Sequence, residues 1–204
     1  MRTAILAAVI GLVASLLGSR PARSDDPADG VSLIRAGMKN WSRSGGGKSP
    51  WSLSTAGTLV CEPVADRYVY EDLLGDGTLH VEWRFKPTLD PKQAVHASVT
   101  VRGTLGGEQC KIALGAGCGA ISASALSSSD RVKTSEVRAT VAKPKPADEW
   151  NEMDIKLAGK SVAVSLNGAP VSSLGNGPAG AGIFSLNAEG DAVEFRNVRW
   201  KAAR

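Results

Sequence analysis

The chain has two histidines, His80 and His96, and each sits in a run of alternating polar and apolar residues beside other groups able to exchange protons or hold charge. From Thr78 to Phe85 the polar positions are His80, Glu82 and Arg84, set against Leu79, Val81, Trp83 and Phe85. From Val95 to Arg102 they are His96, Ser98, Thr100 and Arg102, set against Val95, Ala97, Val99 and Val101. Successive side chains of a strand point to opposite faces, so each run presents its polar set on one side. If the two strands pair as neighbours, both sets share one surface. A histidine or glutamate there could take a proton, and an arginine could stabilise the anion left behind. A divalent metal held by His96 and a carboxylate could do the arginine's work. The same residues also fit solvated cross-strand charge pairs, worth about 0.2–1 kcal/mol each.

The elements that would position these groups are strands. Beyond Thr58 the apolar period is two, with turn residues at short intervals. Val162, Val164 and Leu166 alternate with small polar residues, and Asn167-Gly168 then supplies the positive φ values of a tight type I′ hairpin. Near the end Val193 and Phe195 share a phase that Val198 and Trp200 break, which predicts a bulge at Arg196-Asn197. Glu149-Trp150-Asn151 opens a strand carrying Met153, Ile155 and Leu157. Trp150 lies in the opposite phase, where it could border a groove. Trp83, Phe85, Phe184 and Phe195 fall in the apolar phase of their strands and are expected in the core. Trp41 and Trp51 flank a glycine loop and could pack or stack on a ring. The segment from Val31 to Lys39 could form a turn or two of helix. One-face-apolar strands in this number predict an all-β fold, an antiparallel two-sheet β-sandwich of the jelly-roll kind.

The first 24 residues read as a signal peptide: a basic start, an apolar run from Ala4 to Gly18 too short to span a bilayer comfortably, and Ala22-Arg23-Ser24 at the cleavage position. Residues 25–204 then form one domain, placed in the periplasm or outside the cell, with no membrane contact after cleavage. That segment holds Arg2, Arg20 and Arg23, so of 24 basic residues 21 remain against 20 acidic ones. A mature chain near neutrality gives no reason to expect nucleic acid as a partner. In an oxidising compartment Cys110 and Cys118, with Gly115 and Gly117 between them, are expected to form a disulfide across a hairpin. Cys61 is left as a small buried residue inside a strand.

Several blocks in order resemble the 3-keto-disaccharide hydrolase domain. They are Ser32-Leu33-Ile34, Gly57-Thr58-Leu59-Val60, Leu79 to Phe85, Gly119-Ala120-Ile121, Glu149-Trp150-Asn151, Leu166-Asn167-Gly168 and Phe195-Arg196-Asn197-Val198. The resemblance implies a concanavalin-like jelly roll and an enzyme that cleaves glycosides oxidised at C3. The family's Asn-Ser-Gly strand ending in arginine is matched here by Ser98 and Arg102, and Glu108 stands for the glutamate that follows. Gly107 replaces the usual tyrosine before that glutamate, and Ser122 replaces an aromatic residue. On this reading His96, Arg102 and Glu108 are the catalytic group, and His80, Glu82, Arg84, Ser98 and Trp150 bind a carbohydrate, an oxidised glycoside. The alternative is a glycan-binding or surface-interaction sandwich without catalysis.

Overall fold

The computed structural model describes residues 30–34, 38–43, 45–88, 94–126, 132–140 and 143–204. The expected signal peptide lies outside these residues. Among them are fifteen strands: β1 (Val31–Ser32), β2 (Trp41–Arg43), β3 (Trp51–Leu53), β4 (Leu59–Cys61), β5 (Ala65–Leu74), β6 (Gly77–Phe85), β7 (Ala97–Gly103), β8 (Gln109–Ala113), β9 (Ile121–Leu126), β10 (Val132–Val137), β11 (Asn151–Ala158), β12 (Ser161–Leu166), β13 (Ala169–Leu174), β14 (Gly182–Glu189) and β15 (Val193–Ala202). The segment read as a helical turn opens instead as β1, paired with β15; residues 35–37 are not among those described.

All pairings are antiparallel and fall into two sheets. One runs β13-β12-β11-β6-β15-β4-β3 with β1 on β15; the other runs β10-β9-β8-β7-β14-β5-β2. We refer to them as the β6 sheet and the β7 sheet. Their facing sides bury the apolar phase of each strand: Leu79, Val81 and Trp83 of β6 and Met153, Ile155 and Leu157 of β11 meet Val99, Ile112, Phe184 and Leu186 from the other sheet. Trp41 and Trp51 belong to this core. Trp51 stacks on Tyr68 with ring centroids 5.4 Å apart, and Trp41 meets Phe184 edge-on at 5.5 Å. The architecture is the all-β two-sheet sandwich expected from the residue pattern.

The local signals hold as well. Asn167 and Gly168 take φ of 49° and 83° in the β12–β13 turn. The β15 register slips between Arg196 and Arg199, with Asn197 at φ 50°. Asn151 is buried, its Oδ1 accepting bonds from the Lys145 backbone N–H and the Asn167 amide, so it braces the start of β11.

Candidate functional site

The strands bearing the two histidines do not pair. β6 lies between β11 and β15, whereas β7 lies between β8 and β14 in the other sheet. The expected common surface is therefore not formed, and His80, Glu82, Arg84 and Trp150 face away from His96 and Ser98 across the whole sandwich. β6 and β7 follow one another in sequence, yet each is paired on both sides by other strands, so neither is open to the other.

On the outer face of the β6 sheet those four residues are held by their neighbours. His80 Nδ1 is 2.8 Å from Asp154 Oδ1, and its Nε2 is 3.7 Å from Glu82 Oε1. Glu82 also accepts from Arg196 Nε at 2.7 Å and Asn197 Nδ2 at 2.8 Å. Arg84 donates to Glu194, and the Arg84 and Arg196 guanidiniums lie 4.7 and 4.0 Å from the Trp150 ring centre. Burial alone would strip the His80 proton, but the bond to Asp154 and the charge of the nearby Glu82 carboxylate overcome it and hold the pKa up at about 9. Burial raises the Glu82 carboxyl too, and the nearby His80 ring with the bonds from Asn197 and Arg196 outweighs it and holds it down at about 2. A raised folded-state pKa means that the His80 contribution to stability is complete below its ordinary 6.5 and is lost as pH rises through about 9. Thermal melts of His80→Gln should accordingly lose less stability between these pH values than melts of the unaltered protein. Parallel melting curves for the two would refute the assignment.

Arg102 is displaced from the position that strand alternation gives it. It takes φ 58° where the β7–β14 register shifts, and the side chain, 1% exposed, turns to the end of the sandwich. There Nη2 pairs with Asp76 and reaches the Gly159 carbonyl at 3.4 Å, while Nε and Nη1 have no hydrogen-bond partner among the described residues. Gly182 makes the turn possible, since a Cβ there would sit 2.6 Å from the Arg102 backbone. Glu108 caps the β7–β8 turn, its N–H bonded to Thr104 Oγ1. It lies at the end of β7 opposite His96, roughly 20 Å away at the usual rise per residue. The expected trio of His96, Arg102 and Glu108 is thus not brought together.

The expected disulfide is absent as well: Cys110 and Cys118 are buried free thiols, as is Cys61. Cys110 stands opposite Ala123 in the β8–β9 ladder, whereas Cys118 lies beyond the Ile112–Ile121 pair in the connecting turn, too far along for a bridge. Burial pushes their pKa values up to about 11 for Cys110 and about 12 for Cys118.

His96 and Ser98 do meet a groove. It encloses about 340 Å³ on the outer face of the β7 sheet, and Lys111, Glu136, Arg138 and Glu189 join them in lining it. The pairings set Glu136, Ser122, Lys111, Thr100 and Ser185 in one row across five strands. Ala113, Ala116 and Ala120 leave the hollow between the longer side chains. Glu189 Oε1 accepts from Lys111 Nζ at 2.8 Å and Ser98 Oγ at 2.6 Å. Burial pushes the Glu189 carboxyl up, but those two bonds, the Lys111 charge and the nearby His96 ring outweigh it and hold it below its usual range. His96 is exposed, its N–H donating to Asp191 Oδ2 at 2.7 Å and its ring Nδ1 3.8 Å from the same oxygen. The β8–β9 turn fixes this stretch further: the Ala116 and Leu114 N–H groups bond the Val95 and Ala97 carbonyls at 2.9 Å each. Gly115 permits that approach, because a Cβ there would lie 1.9 Å from the Val95 carbonyl oxygen.

A family model for the 3-keto-alpha-glucoside-1,2-lyase-like domain matches residues 29–201. The chain belongs to that family. No curated protein matches it in sequence. In fold, a candidate glycosyl hydrolase of Parabacteroides distasonis superposes with a TM-score of 0.64 at 15% identity, over 87% of this chain and 96% of its own. The Bacillus subtilis carbohydrate binding module CBM66 follows at 0.58 and 13%, over 81% and 98%. A Bacillus licheniformis beta-glucanase gives 0.55 and 13%, over 80% and 92%. At these identities the likeness is one of fold.

Within the 3-keto-alpha-glucoside-1,2-lyase-like domain of this chain, the groove residues that sequence reasoning missed are Lys111, Glu189, Glu136 and Arg138. Lys111 sits between the buried Cys110 and Ile112, and Glu189 lies in the phase opposite the buried Phe184, Leu186 and Ala188. That alternation was visible; what brings them together is the strand order. All five Trp, both Tyr and all three Phe lie elsewhere. For a metal, His96 has Asp191 at 3.8 Å and shares the groove with Glu189, yet no three His, Cys, Asp or Glu side chains among the described residues group as metal ligands. That donor set does not fit an ion.

Proposed function

We propose that this protein is a carbohydrate-active enzyme that cleaves 3-keto-glycosides by elimination in the groove on the β7 sheet. A ketone at C3 acidifies the proton on C2. His96 takes that proton, and the C2–H electron pair moves to give an enolate with its charge on the C3 oxygen. The Lys111 ammonium meets that oxygen. Collapse of the enolate re-forms the ketone, makes a C1–C2 double bond and breaks the bond from C1 to the leaving oxygen, which takes the proton from the His96 imidazolium. Water then adds across the double bond. The observation that carries this reading is the convergence of His96, Lys111 and Glu189 on one groove within a domain of this family.

A glycan-binding module is the competing reading, and one observation favours it: Arg102, the family's strand-end arginine, is buried in a pair with Asp76. The free aromatic platforms common in such modules are not in the groove lining, which is small, hydroxylic and charged. The deciding experiment is incubation of the purified protein with a 3-keto-glucoside carrying a chromogenic aglycone. Aglycone release is expected. Binding of unoxidised glycans with no release would establish the module instead.

A further inference from the structure

Ser98, Thr100 and Ser185 are 2% exposed or less, although they lie on the outer face of a sheet. Buried hydroxyls need partners, and here those of Ser98 and Ser185 form one chain, with Thr100 Oγ1 a branch that accepts from Asn187 Nδ2 at 3.0 Å. Arg67 Nε donates to Ser185 Oγ at 3.0 Å, and Ser185 Oγ to Asn187 Oδ1 at 3.1 Å. Asn187 Nδ2 donates to Ser98 Oγ at 3.1 Å, and Ser98 Oγ to Glu189 Oε1 at 2.6 Å. The direction is fixed at several points. A guanidinium only donates and a carboxylate only accepts. Between them, Asn187 Nδ2 also lies 3.3 Å from the Ser98 carbonyl, which can only accept, so the amide cannot be turned round. Every link therefore points from the Arg67 cation to the Glu189 anion, and bonds aligned in this way strengthen one another.

We propose that Arg67, Ser185 and Asn187 are positioning residues for the groove. Through Ser98 they hold Glu189 ionised and oriented, and Glu189 holds Lys111 where the enolate oxygen forms. This rests on the functional reading above for the task of Lys111; the chain itself is measurable without turnover. The titratable groups facing Glu189 are Lys111 from β8 and His96 ahead of β7, with Asp191 in its own turn. Arg67 is anchored besides by Gln109 Oε1 at 3.3 Å from its Nη2. Cutting any upstream link weakens the polarisation of the Ser98 hydroxyl, the donor that favours the carboxylate, so Glu189 should then bind its proton at higher pH.

The test combines NMR titration of the Glu189 carboxyl carbon with 3-keto-glucoside kinetics on the full chain. Ser185→Ala and Arg67→Met should each raise the Glu189 midpoint and lower kcat roughly tenfold with little change in KM. Ser185→Thr, which keeps the hydroxyl, should restore both. The double variant should be no worse than either single one, because both cut the same chain. An unmoved Glu189 midpoint, or losses that add, would overturn the proposal. Should Ser185→Ala fail to fold, Arg67→Met with Arg67→Gln carries the same titration. A Glu189 midpoint that moves as expected in a protein that turns over no glycoside would support the chain and sink the enzymatic reading alone.

Discussion

Replacing His96 by Ala should lower kcat/KM on a 3-keto-glucoside by roughly 10²–10⁴-fold, the usual contribution of one positioned acid or base. Lys111→Met should cost about 10²–10³-fold, in kcat, because an ammonium at the enolate oxygen acts only once charge has developed there. Both side chains stand at the groove with half or nearly half of their surface open to solvent, His96 at 50% and Lys111 at 45%, so neither loss disturbs packing. Far-UV spectra and melting temperatures should stay close to those of the unaltered protein. Glu108→Gln and Glu82→Gln, which touch residues outside the groove, should leave turnover within a few-fold. If Glu108→Gln abolished turnover while His96→Ala preserved it, the active centre would lie at the other end of β7.

The largest effect on stability is expected at Phe184. Its side chain is fully buried, with ring centroids 5.5 Å from Trp41 and 6.4 Å from Tyr70. Phe184→Ala removes most of an aromatic side chain and leaves a cavity between two rigid rings, a change that typically costs 3–5 kcal/mol. For a domain of this size, that corresponds to a fall in Tm of roughly 6–20 °C. The position matters for function too, because the next residue on β14 is Ser185, on the opposite face, in the chain that ends at Glu189. Denaturant melts and turnover measured on the same variant should therefore show a stability loss with a smaller, separate loss of kcat. A change in Tm of under two degrees would mean that this face of β14 is not the core.

How far the residues spoke for themselves depends on the range of the interaction. The hairpin at Asn167-Gly168, the bulge at Arg196-Asn197 and the inward phase of β6 and β7 are decided within a few residues, and alternation and φ preference reveal them. The neighbour of a strand is decided by core packing across the whole chain. His80 and His96 look equivalent in sequence, yet they lie on opposite sides of the sandwich, because β6 is held by the distant β11 and β15 and β7 by the distant β14 beside its hairpin partner β8. Arg102 was misplaced for a different reason. Alternation assumes regular backbone, and one positive φ beside Gly182 turns the side chain from the face to the end of the sandwich. Glu189 and Lys111 were concealed by separation, standing 91 and 13 residues from Ser98 and meeting it only through sheet order.

The central claim is that the β7-sheet groove takes the C2 proton of a 3-keto-glycoside. It is tested most directly by turning over such a glycoside, deuterated at C2, against its unlabelled form. The account predicts aglycone release that slows several-fold on deuteration in the unaltered protein, and release close to background in His96→Ala. Release at equal rates from both substrates, or a His96→Ala protein as active as the original, would contradict it.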